Sequence, residues 1–545
     1  MSDLTAELVV RGGRIWTGVA DTPPVTALAV RDGRIAAIGT DDELAPLTAG
    51  AAQVIDLQGK VLLPGLQDSH IHAVRAGLTW DRELHWEDVR SLPEALETVR
   101  ARAAETAPGT WIIVIGGWHE RQLAERRMPT RAELDAAAPG SPVFVQMLYD
   151  VGMLSSAALK ACGWDAASAD PPGGVLERDS VSGELTGRVT GMGAFGHVLS
   201  QLPEPTYDEK RGGTVRMLAE MASHGITAVI DGGGFRMPPE SYHPLLDLWR
   251  TKSLPVRMRL FMSAATRGAE VAELAQWIRH VAPGFGDDVV RISGLGEITH
   301  YGCHDMEGLD PYEMSDEAWH ELVEISRAAA ARGWTMSMHA VLDHTLGRVL
   351  DAWELVARDH DLRPLRFSIV HADEASLANI DRIAKLGVGV LVQDRLVLKA
   401  SDYVDSWGAD ATARTPPLGD LVGQGVPIAA GTDADRANWW HPWASIWWLV
   451  TGESVDGAEP RAPRHRLSIE DALRAYSHGG AWFTFEEASR GLLVPGHAAD
   501  FFVPTADPFA VEPEALPGIR SELTVMGGQV THSAGALTDA GPARA

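Results

Sequence analysis

The stretch Pro64-Gly65-Leu66-Gln67-Asp68-Ser69-His70-Ile71-His72 continues an apolar run at 61–63 and ends in a His-x-His pair. A short apolar run bounded by proline and glycine predicts a buried strand. Residues two apart on an extended backbone point to the same side, so His70 and His72 can direct both imidazoles to one point. The stretch therefore predicts a strand end that offers two nitrogen ligands to one cation.

Short apolar runs alternate with helical segments through the middle of the chain, a pattern typical of a parallel sheet with crossover helices. About eight strands over roughly 400 residues predict an α/β fold, a (β/α)8 TIM-like barrel, which we assign to residues 61–484. Segment 111–220 keeps the alternation poorly and is interpreted as an insertion. The candidate strands are 111–115, 143–147, 226–231, 256–261, 289–293, 335–339, 367–371, 388–392 and 427–433.

The two ends of the chain have a different pattern, of short strands and turns. Residues 1–60 include the hairpin signal Asp32-Gly33, and residues 485–535 carry further apolar runs. Because the first set does not form a complete sheet alone, we predict that both ends build one small accessory β-sandwich domain. The tail 536–545 is rich in small residues and is expected to be disordered.

Composition limits the possible partners. The chain has 545 residues, a formal net charge of -27 and two cysteines. This charge argues against nucleic acid or an anionic membrane as a partner, and the cysteine count argues against a disulfide framework. The N-terminal residues lack the pattern of a signal peptide, and no apolar run approaches the roughly 20 residues that span a bilayer. We expect a cytoplasmic protein, with a homodimer as one possible assembly.

Three further apolar runs end in side chains that bind metals, namely His339, His371 and Asp433. Barrel enzymes place their chemistry at the C-terminal ends of the strands, so these residues should share one mouth with the His-x-His pair. Imidazole and carboxylate suit zinc, and iron, manganese or nickel would also fit. The sequence therefore predicts a divalent metal site at this mouth.

The sequence resembles the amidohydrolase superfamily over nearly its whole length. The Gly-Trp-His-Glu segment at 117–120 and the long spacing are similar to the branch that includes N-substituted formamide deformylases. The other motifs that carry the resemblance lie at 62–72, 338–343, 369–373, 431–434 and 491–500.

The resemblance implies a role for each of these strand-end residues. The ordered set would bind one or two divalent metals, usually zinc, and the reaction would be a hydrolysis. Asp433 would contact the metal, accept the proton of the attacking water and return it to the leaving nitrogen. The ligands implied by the resemblance are His70, His72, His339, His371 and Asp433.

One position departs from the pattern of binuclear relatives, in which a carboxylated lysine or a glutamate bridges two metals. The corresponding strand has no lysine, and Arg291 is always charged and cannot serve as a ligand. Glu297 follows this strand and could supply the carboxylate; without it, the site would be mononuclear. The nearby His300, Cys303 and His304 are interpreted as lining the loop.

Tryptophan is unusually frequent, with 18 residues. Several tryptophans follow Asp433, where they either pack the next helix or form a wall of the substrate site. We predict that Trp439 and Trp440, with Trp118 and His119 from the insertion, contact the substrate. An aromatic wall favours a hydrophobic substituent.

These features favour a metal-dependent hydrolase that cleaves a linear amide C–N bond, with an N-substituted formamide as the best single substrate and formate and an amine as products. A deaminase or a cyclic-amide hydrolase could use the same metal site. A protein that binds a hydrophobic ligand without catalysis is the third option. The absence of one of the metal-ligating residues would indicate it.

Overall fold

The computed structural model describes residues 6–149, 151–535 and 537. Within these residues, eight consecutive parallel strands confirm the predicted barrel. Beyond the last strand, the Asp433 N–H donates to the His70 carbonyl and the His72 N–H donates to the Ala434 carbonyl, each at 2.8 Å, which joins the last strand to the first. Barrel strands 1 to 8 are Leu66–Ile71, Ile226–Asp231, Arg257–Met262, Val290–Leu295, Thr335–Ala340, Ser368–His371, Gly389–Gln393 and Ile428–Gly431.

Helices cover the outside of the barrel between consecutive strands. In Asp316–Ala331, the N-cap Ser315 accepts a hydrogen bond from the Ala318 N–H, two acidic residues open the first turn, and one face is buried. The barrel helices are Ala73–Gly77, Tyr207–Ser223, His243–Arg250, Glu270–His280, Asp316–Ala331, Asp343–Val356, Leu377–Leu386, Leu396–Trp407, Ala409–Thr412, Leu418–Gly423, Pro442–Thr451, Ile469–Arg474 and Gly480–Phe483.

The interior of the barrel is closed at its N-terminal end. Phe261 on strand 3 packs in an apolar layer with Phe483, which comes from the last barrel helix. Two residues earlier on the same strand, and therefore on the same side, Arg259 forms a bidentate pair with Glu486 at 2.7 and 2.9 Å. Because this end is filled, a ligand can reach the strands only from their C-terminal ends.

Two packed sheets contain the strands from both ends of the chain. Phe501 pairs antiparallel with Pro64, which joins a C-terminal strand to the segment before barrel strand 1. One core of Leu, Val, Ile and Phe side chains lies between the sheets. Their strands are Arg34–Gly39, Ala27–Arg31, Leu8–Arg11 and Gln53–Asp56 in the first sheet, and Arg14–Ile15, Val61–Pro64, Phe501–Pro504, Ser521–Met526 and Gln529–Ser533 in the second.

A third sheet of six strands lies between barrel strands 1 and 2 in the chain. It starts ahead of the segment 111–220 that the sequence indicated, because the short strand Glu83–Leu84 pairs with Ile112–Val114. The sheet contains Val175–Arg178, Leu185–Thr190, Val151–Leu154, Val143–Met147, Ile112–Val114 and Glu83–Leu84, with the helices Leu92–Glu105, Arg131–Ala137, Ser156–Ala161 and Met192–Ser200.

A tight turn of this insertion lies against the loop that follows barrel strand 8. Gly116 has a positive φ of 43°, and a Cβ at this position would lie 2.2 Å from the Cα of Arg436. Only glycine permits this approach. The insertion therefore reaches the C-terminal mouth of the barrel.

The predicted disordered tail, 536–545, lies outside the described residues apart from Leu537. Across the described part of the chain, the helices are too short or too polar to cross a membrane.

Candidate metal centre

Five barrel strands place the predicted ligands at one mouth. His70, His339 and His371 lie at or near the ends of strands 1, 5 and 6, while Glu297 and Asp433 follow strands 4 and 8. His72 comes directly after strand 1. All of them are at most 5% exposed. The structure thus brings together every ligand that the sequence predicted, because the ends of parallel strands meet at the same edge of the barrel.

The first group of potential ligands is His70, His72 and Asp433, whose ligand atoms all lie within 4.8 Å of one another. Asp433 Oδ1 is 3.4 Å from His70 Nε2 and 3.3 Å from His72 Nε2. The His72 Nδ1–H donates to the Gly233 carbonyl at 2.8 Å, which leaves the lone pair of Nε2 directed at the group. Two imidazoles and a carboxylate are a donor set typical of zinc.

Glu297 lies between the first group and a second set of histidines. Its Oε2 is 2.7 Å from His70 Nε2, and it belongs both to a group with His70 and His371 and to a group with His304 and His339. Among the described residues it is the carboxylate that both groups share. This is the position that the sequence assigned to a bridging carboxylate.

The orientation of His339 follows from its outer contacts. Its Nε2–H donates to the Met306 carbonyl at 2.8 Å and lies 3.0 Å from Asp305 Oδ1. Asp305 is itself held by the backbone N–H groups of Val341 and Leu342. The lone pair of His339 Nδ1 therefore faces the cluster, as in metal sites where a second hydrogen bond fixes the ligand ring.

Several buried polar atoms of the cluster have no hydrogen-bond partner in the structure. They are His70 Nε2, Glu297 Oε2, His339 Nδ1 and His371 Nδ1. Buried polar atoms are normally paired, and the close approach of His70 to Glu297 lacks hydrogen-bond geometry. Two lone pairs that point at a common third atom produce such an arrangement. The residues present therefore fit a bound cation.

The electrostatic field of the cluster also favours a cation. Burial alone would lower the pKa of His70, but Glu297 and Asp433 raise it to about 10. Burial alone would raise the pKa of Asp433, but hydrogen bonds from His70 and His72 and the charge of Arg395 hold it well below its usual value. Positive charge is thus stabilised at the point where the carboxylates and imidazoles meet.

Arg395, which the sequence analysis did not single out, contacts two of the ligands. Its Nη2 donates to Asp433 Oδ2 at 3.2 Å and to His371 Nε2 at 3.1 Å, and its side chain is 3% exposed. It follows barrel strand 7, which carries none of the predicted ligands. A basic residue just after a buried strand is the only sequence signal that could have indicated it.

The backbone adopts an unusual conformation at the C-terminal ends of barrel strands 6 and 8. His371, Ala372 and Asp433 have φ values of 80°, 55° and 59°. Non-glycine residues rarely adopt this left-handed conformation, and those that do often cluster at functional sites.

The interpretation that His304 only lines the loop after strand 4 is corrected, because its ring lies within the cluster. Its ring stacks on His339 with a centroid distance of 3.5 Å and an interplanar angle of 16°. His300 pairs with Glu321 at 2.5 Å, and Cys303 donates to the Ala318 carbonyl, so these two do line the loop as expected. Asp68 accepts hydrogen bonds from the backbone N–H of His70 at 3.1 Å and from the Thr432 hydroxyl at 2.6 Å.

The predicted substrate residues do not form one group. None of them makes a hydrogen bond or ring contact with the predicted ligands within the described residues. Trp118 donates to the Gln146 carbonyl at 2.8 Å, His119 Nε2 lies 3.4 Å from Asp402 Oδ2, and Trp439 lies under the guanidinium of Arg90.

Trp440 packs away from the mouth. Its ring contacts His224 at a centroid distance of 4.6 Å, and His224 precedes barrel strand 2, at the opposite end of that strand from the metal cluster. The prediction that Trp440 walls the substrate site is therefore corrected. The chain turns outward between Asp433 and the helix Pro442–Thr451, so nearness in sequence to Asp433 did not indicate nearness in space.

A cavity of about 1000 Å³ lies between the insertion and the rim of the barrel. Its wall includes Ile113 and Leu199 from the insertion and Arg236 and Arg436 from the barrel loops. Arg236 follows Phe235, whose ring contacts His304 at 4.9 Å. The residues that line the cavity include none of the predicted metal ligands, and they carry apolar side chains together with charges of both signs, such as Arg236 and Glu209.

A parallel barrel with histidines and carboxylates converging at its open mouth defines a metal-dependent hydrolase of the barrel type. Residues 53–532 match the model of the Amidohydrolase family, and the chain belongs to that family. The superfamily that the sequence motifs indicated is confirmed.

Individual relatives are similar over most of their length. Protein LONG AFTER FAR-RED 3 of Arabidopsis thaliana is 26% identical over 525 residues, which cover 92% of this chain and 87% of that protein. An N-substituted formamide deformylase of Arthrobacter pascens is 25% identical over 524 residues, covering 92% of this chain and 94% of that protein. The crystal structure of a metal-dependent hydrolase from Pyrococcus horikoshii matches with a TM-score of 0.67 at 20% identity, covering 93% of this chain and 99% of that chain.

Proposed function

We propose that this protein hydrolyses a linear amide C–N bond of a hydrophobic substrate, with an N-substituted formamide as the substrate class and formate and an amine as products. The observation that carries the proposal is the convergence of His70, His72, Glu297 and Asp433 at the open end of the barrel, where His70 Nε2 and Glu297 Oε2 have no hydrogen-bond partner. The similarity to a formamide deformylase over nearly the whole chain supports this choice of substrate.

The residues that would hold the metal fall into overlapping groups. One is His70, His72 and Asp433, while Glu297 lies in a group with His70 and His371 and in another with His304 and His339. These residues would hold one or two divalent metal ions, and their imidazoles and carboxylates suit zinc. When bound, a zinc ion lowers the pKa of its water toward about 7 and polarises the substrate carbonyl.

Asp433 would carry the proton between the two halves of the reaction. Its low pKa keeps the side chain ionised at neutral pH, so that it can accept the proton released as the water oxygen attacks the carbonyl carbon. When the C–N bond breaks, the same proton passes to the departing nitrogen, which leaves as an amine. Asp433 returns to its ionised state, and the oxygen of water remains in the carboxylate product.

The insertion would enclose the N-substituent of the substrate. The turn before Trp118 lies against the loop that contains Trp439, and both indoles are buried. His119 adds a polar group beside Asp402 at the same rim. Aromatic and apolar walls favour aryl or alkyl substituents over charged ones.

Hydrolysis of a panel of substrates tests the proposal. We expect zinc-loaded protein to release formate from N-aryl and N-alkyl formamides, to lose this activity after chelation and to regain it when zinc is added. The panel includes larger amides, cyclic amides, ureas and aminopyrimidines. Ammonia released from aminopyrimidines without formamide cleavage would replace the proposal with deaminase activity, ring opening would indicate a cyclic-amide hydrolase, and a protein that takes up no metal and cleaves nothing would indicate a binding protein.

Replacement of Arg395 tests its role in holding Asp433. We expect Arg395→Met to reduce kcat about 100-fold with little change in KM or zinc content, because the carboxylate loses the donor that fixes its orientation. Steady-state kinetics and metal analysis of the purified variant measure this. Arg382→Met on an outer helix is the control, and a kcat within a factor of three of wild type for Arg395→Met would refute the role.

A further inference from the structure

The hydrogen bonds of His304 determine which of its ring nitrogens carries the proton. Its Nδ1 accepts a hydrogen bond from the backbone N–H of Met306 at 3.0 Å. A nitrogen that accepts has a free lone pair, so a neutral imidazole in this position carries its proton on Nε2. A nitrogen that bears a proton cannot be a metal ligand at the same time.

His304 differs from His72 and His339 in which ring nitrogen, the protonated one or the one with the lone pair, faces the cluster. The proton of His72 is on Nδ1 and that of His339 is on Nε2, and in both rings the opposite nitrogen offers its lone pair to the cluster. In His304 the nitrogen nearest the shared carboxylate is the protonated one. The distances of His304 from Glu297 and His339 would allow it to join them in a metal group. Its hydrogen bonds instead favour a ring whose Nε2–H donates a hydrogen bond.

The donor of His304 has no acceptor within the described residues. Its nearest carboxylate oxygen, Glu297 Oε1, is 3.7 Å from Nε2, beyond hydrogen-bond distance. The residue is 9% exposed, more than any of the six predicted ligands. Its ring is held between His339 and Phe235, which fixes the direction of the N–H.

We propose that His304 is a catalytic residue that donates a hydrogen bond from Nε2 to the carbonyl oxygen of the substrate and is not a metal ligand. This inference rests on the proposed amide hydrolysis. As the water oxygen bonds to the carbonyl carbon, the electron pair of the C=O bond moves onto the carbonyl oxygen. The N–H of His304 stabilises that negative charge, and the pair returns to form C=O when the amine leaves. His304 keeps its proton throughout.

The backbone N–H of Met306 that donates to Nδ1 favours the neutral imidazole, with its one proton on Nε2. A neutral donor of this kind does not compete with a bound cation. A positioned donor to such an oxyanion typically contributes about 100- to 1000-fold to kcat.

The test compares His304→Ala with His339→Ala in zinc-loaded protein. For His304→Ala we expect kcat to fall about 100- to 1000-fold while the zinc content and zinc affinity remain those of wild type. For His339→Ala we expect the loss of zinc as well as activity. His304→Gln, which retains an N–H donor, should recover part of the loss. Zinc is counted by elemental analysis, and its affinity is measured by competition with a chromophoric chelator.

The outcomes separate this inference from the proposed function. Loss of one zinc equivalent in His304→Ala would overturn the inference and make His304 a ligand, and so would a kcat close to that of wild type. If the wild-type protein cleaves no amide, the proposed function fails, and nitrogen NMR of the labelled ring still decides the point, because a proton on Nδ1 of His304 in zinc-loaded protein would exclude the donor.

Discussion

Asp433→Asn is expected to reduce turnover about 10⁴-fold, the upper range for the loss of a general acid–base group, while the protein stays folded. The amide has nearly the same shape as the carboxylate, so the packing of the mouth is retained. It cannot accept a proton at neutral pH, and it weakens the field that favours a cation beside His70 and His72. Initial rates with an N-substituted formamide at saturating zinc measure the loss, and circular dichroism checks the fold.

Two comparisons show whether proton transfer is the cause. His70→Ala should lose both zinc and turnover, because it removes a nitrogen that faces Glu297 at 2.7 Å. Asp410→Asn, an exposed position in the short helix Ala409–Thr412, should behave as wild type. An Asp433→Asn variant with near-normal turnover would remove Asp433 from the chemistry, even if the metal centre is otherwise as we propose.

The barrel and most of its centre could be predicted because both depend on local patterns. The run 226–231 is apolar and bounded by turn signals, and it is barrel strand 2 in the structure. Parallel strands all end at one rim, so a histidine or an aspartate at the end of an apolar run is placed in the site without knowledge of the packing. The same reasoning placed Glu297, just after a strand, in the cluster.

The residues that were missed depend on contacts between segments far apart in the sequence. Arg395 reaches Asp433, 38 residues away, and its position after strand 7 becomes informative only when the strands are side by side. His304 lies in a loop with no periodicity, and the hydrogen bond that fixes its tautomer is made by a backbone N–H. Trp440 shows the opposite error, since a residue close to Asp433 in sequence packs beside His224 instead.

Glu486→Gln is expected to destabilise the folded protein by about 3–5 kcal/mol, because it leaves the guanidinium of Arg259 buried without its counter-charge. Arg259 is fully buried, and Glu486 also contacts Arg490 at 3.2 Å and Arg291 at 3.3 Å. These residues close the N-terminal end of the barrel and join it to the segment that leads into the accessory domain. The free energy of unfolding from denaturant titration measures the effect.

A matched control lies at the next position. Glu487 also forms a bidentate pair with an arginine, Arg366, at 2.7 and 2.9 Å, but its side chain is 31% exposed. Glu487→Gln should therefore cost about 1 kcal/mol or less. Equal losses in the two variants would mean that burial of the pair is not what makes the Glu486 position sensitive.

The pH dependence of the stability difference between wild type and Glu486→Gln shows whether the charge of the Glu486 carboxylate is the cause of that difference. Burial alone would raise the pKa of Glu486, but Arg490 and Arg259 lower it from the ordinary 4.5 to about 2 in the folded protein. A carboxylate with a depressed pKa stabilises the fold above its unfolded pKa and loses that contribution as the pH falls through the folded pKa. The stability gap between wild type and Glu486→Gln should thus be constant above about pH 5 and narrow progressively toward pH 2. A gap that does not change over this range would show that the loss comes from packing and not from the charge of Glu486.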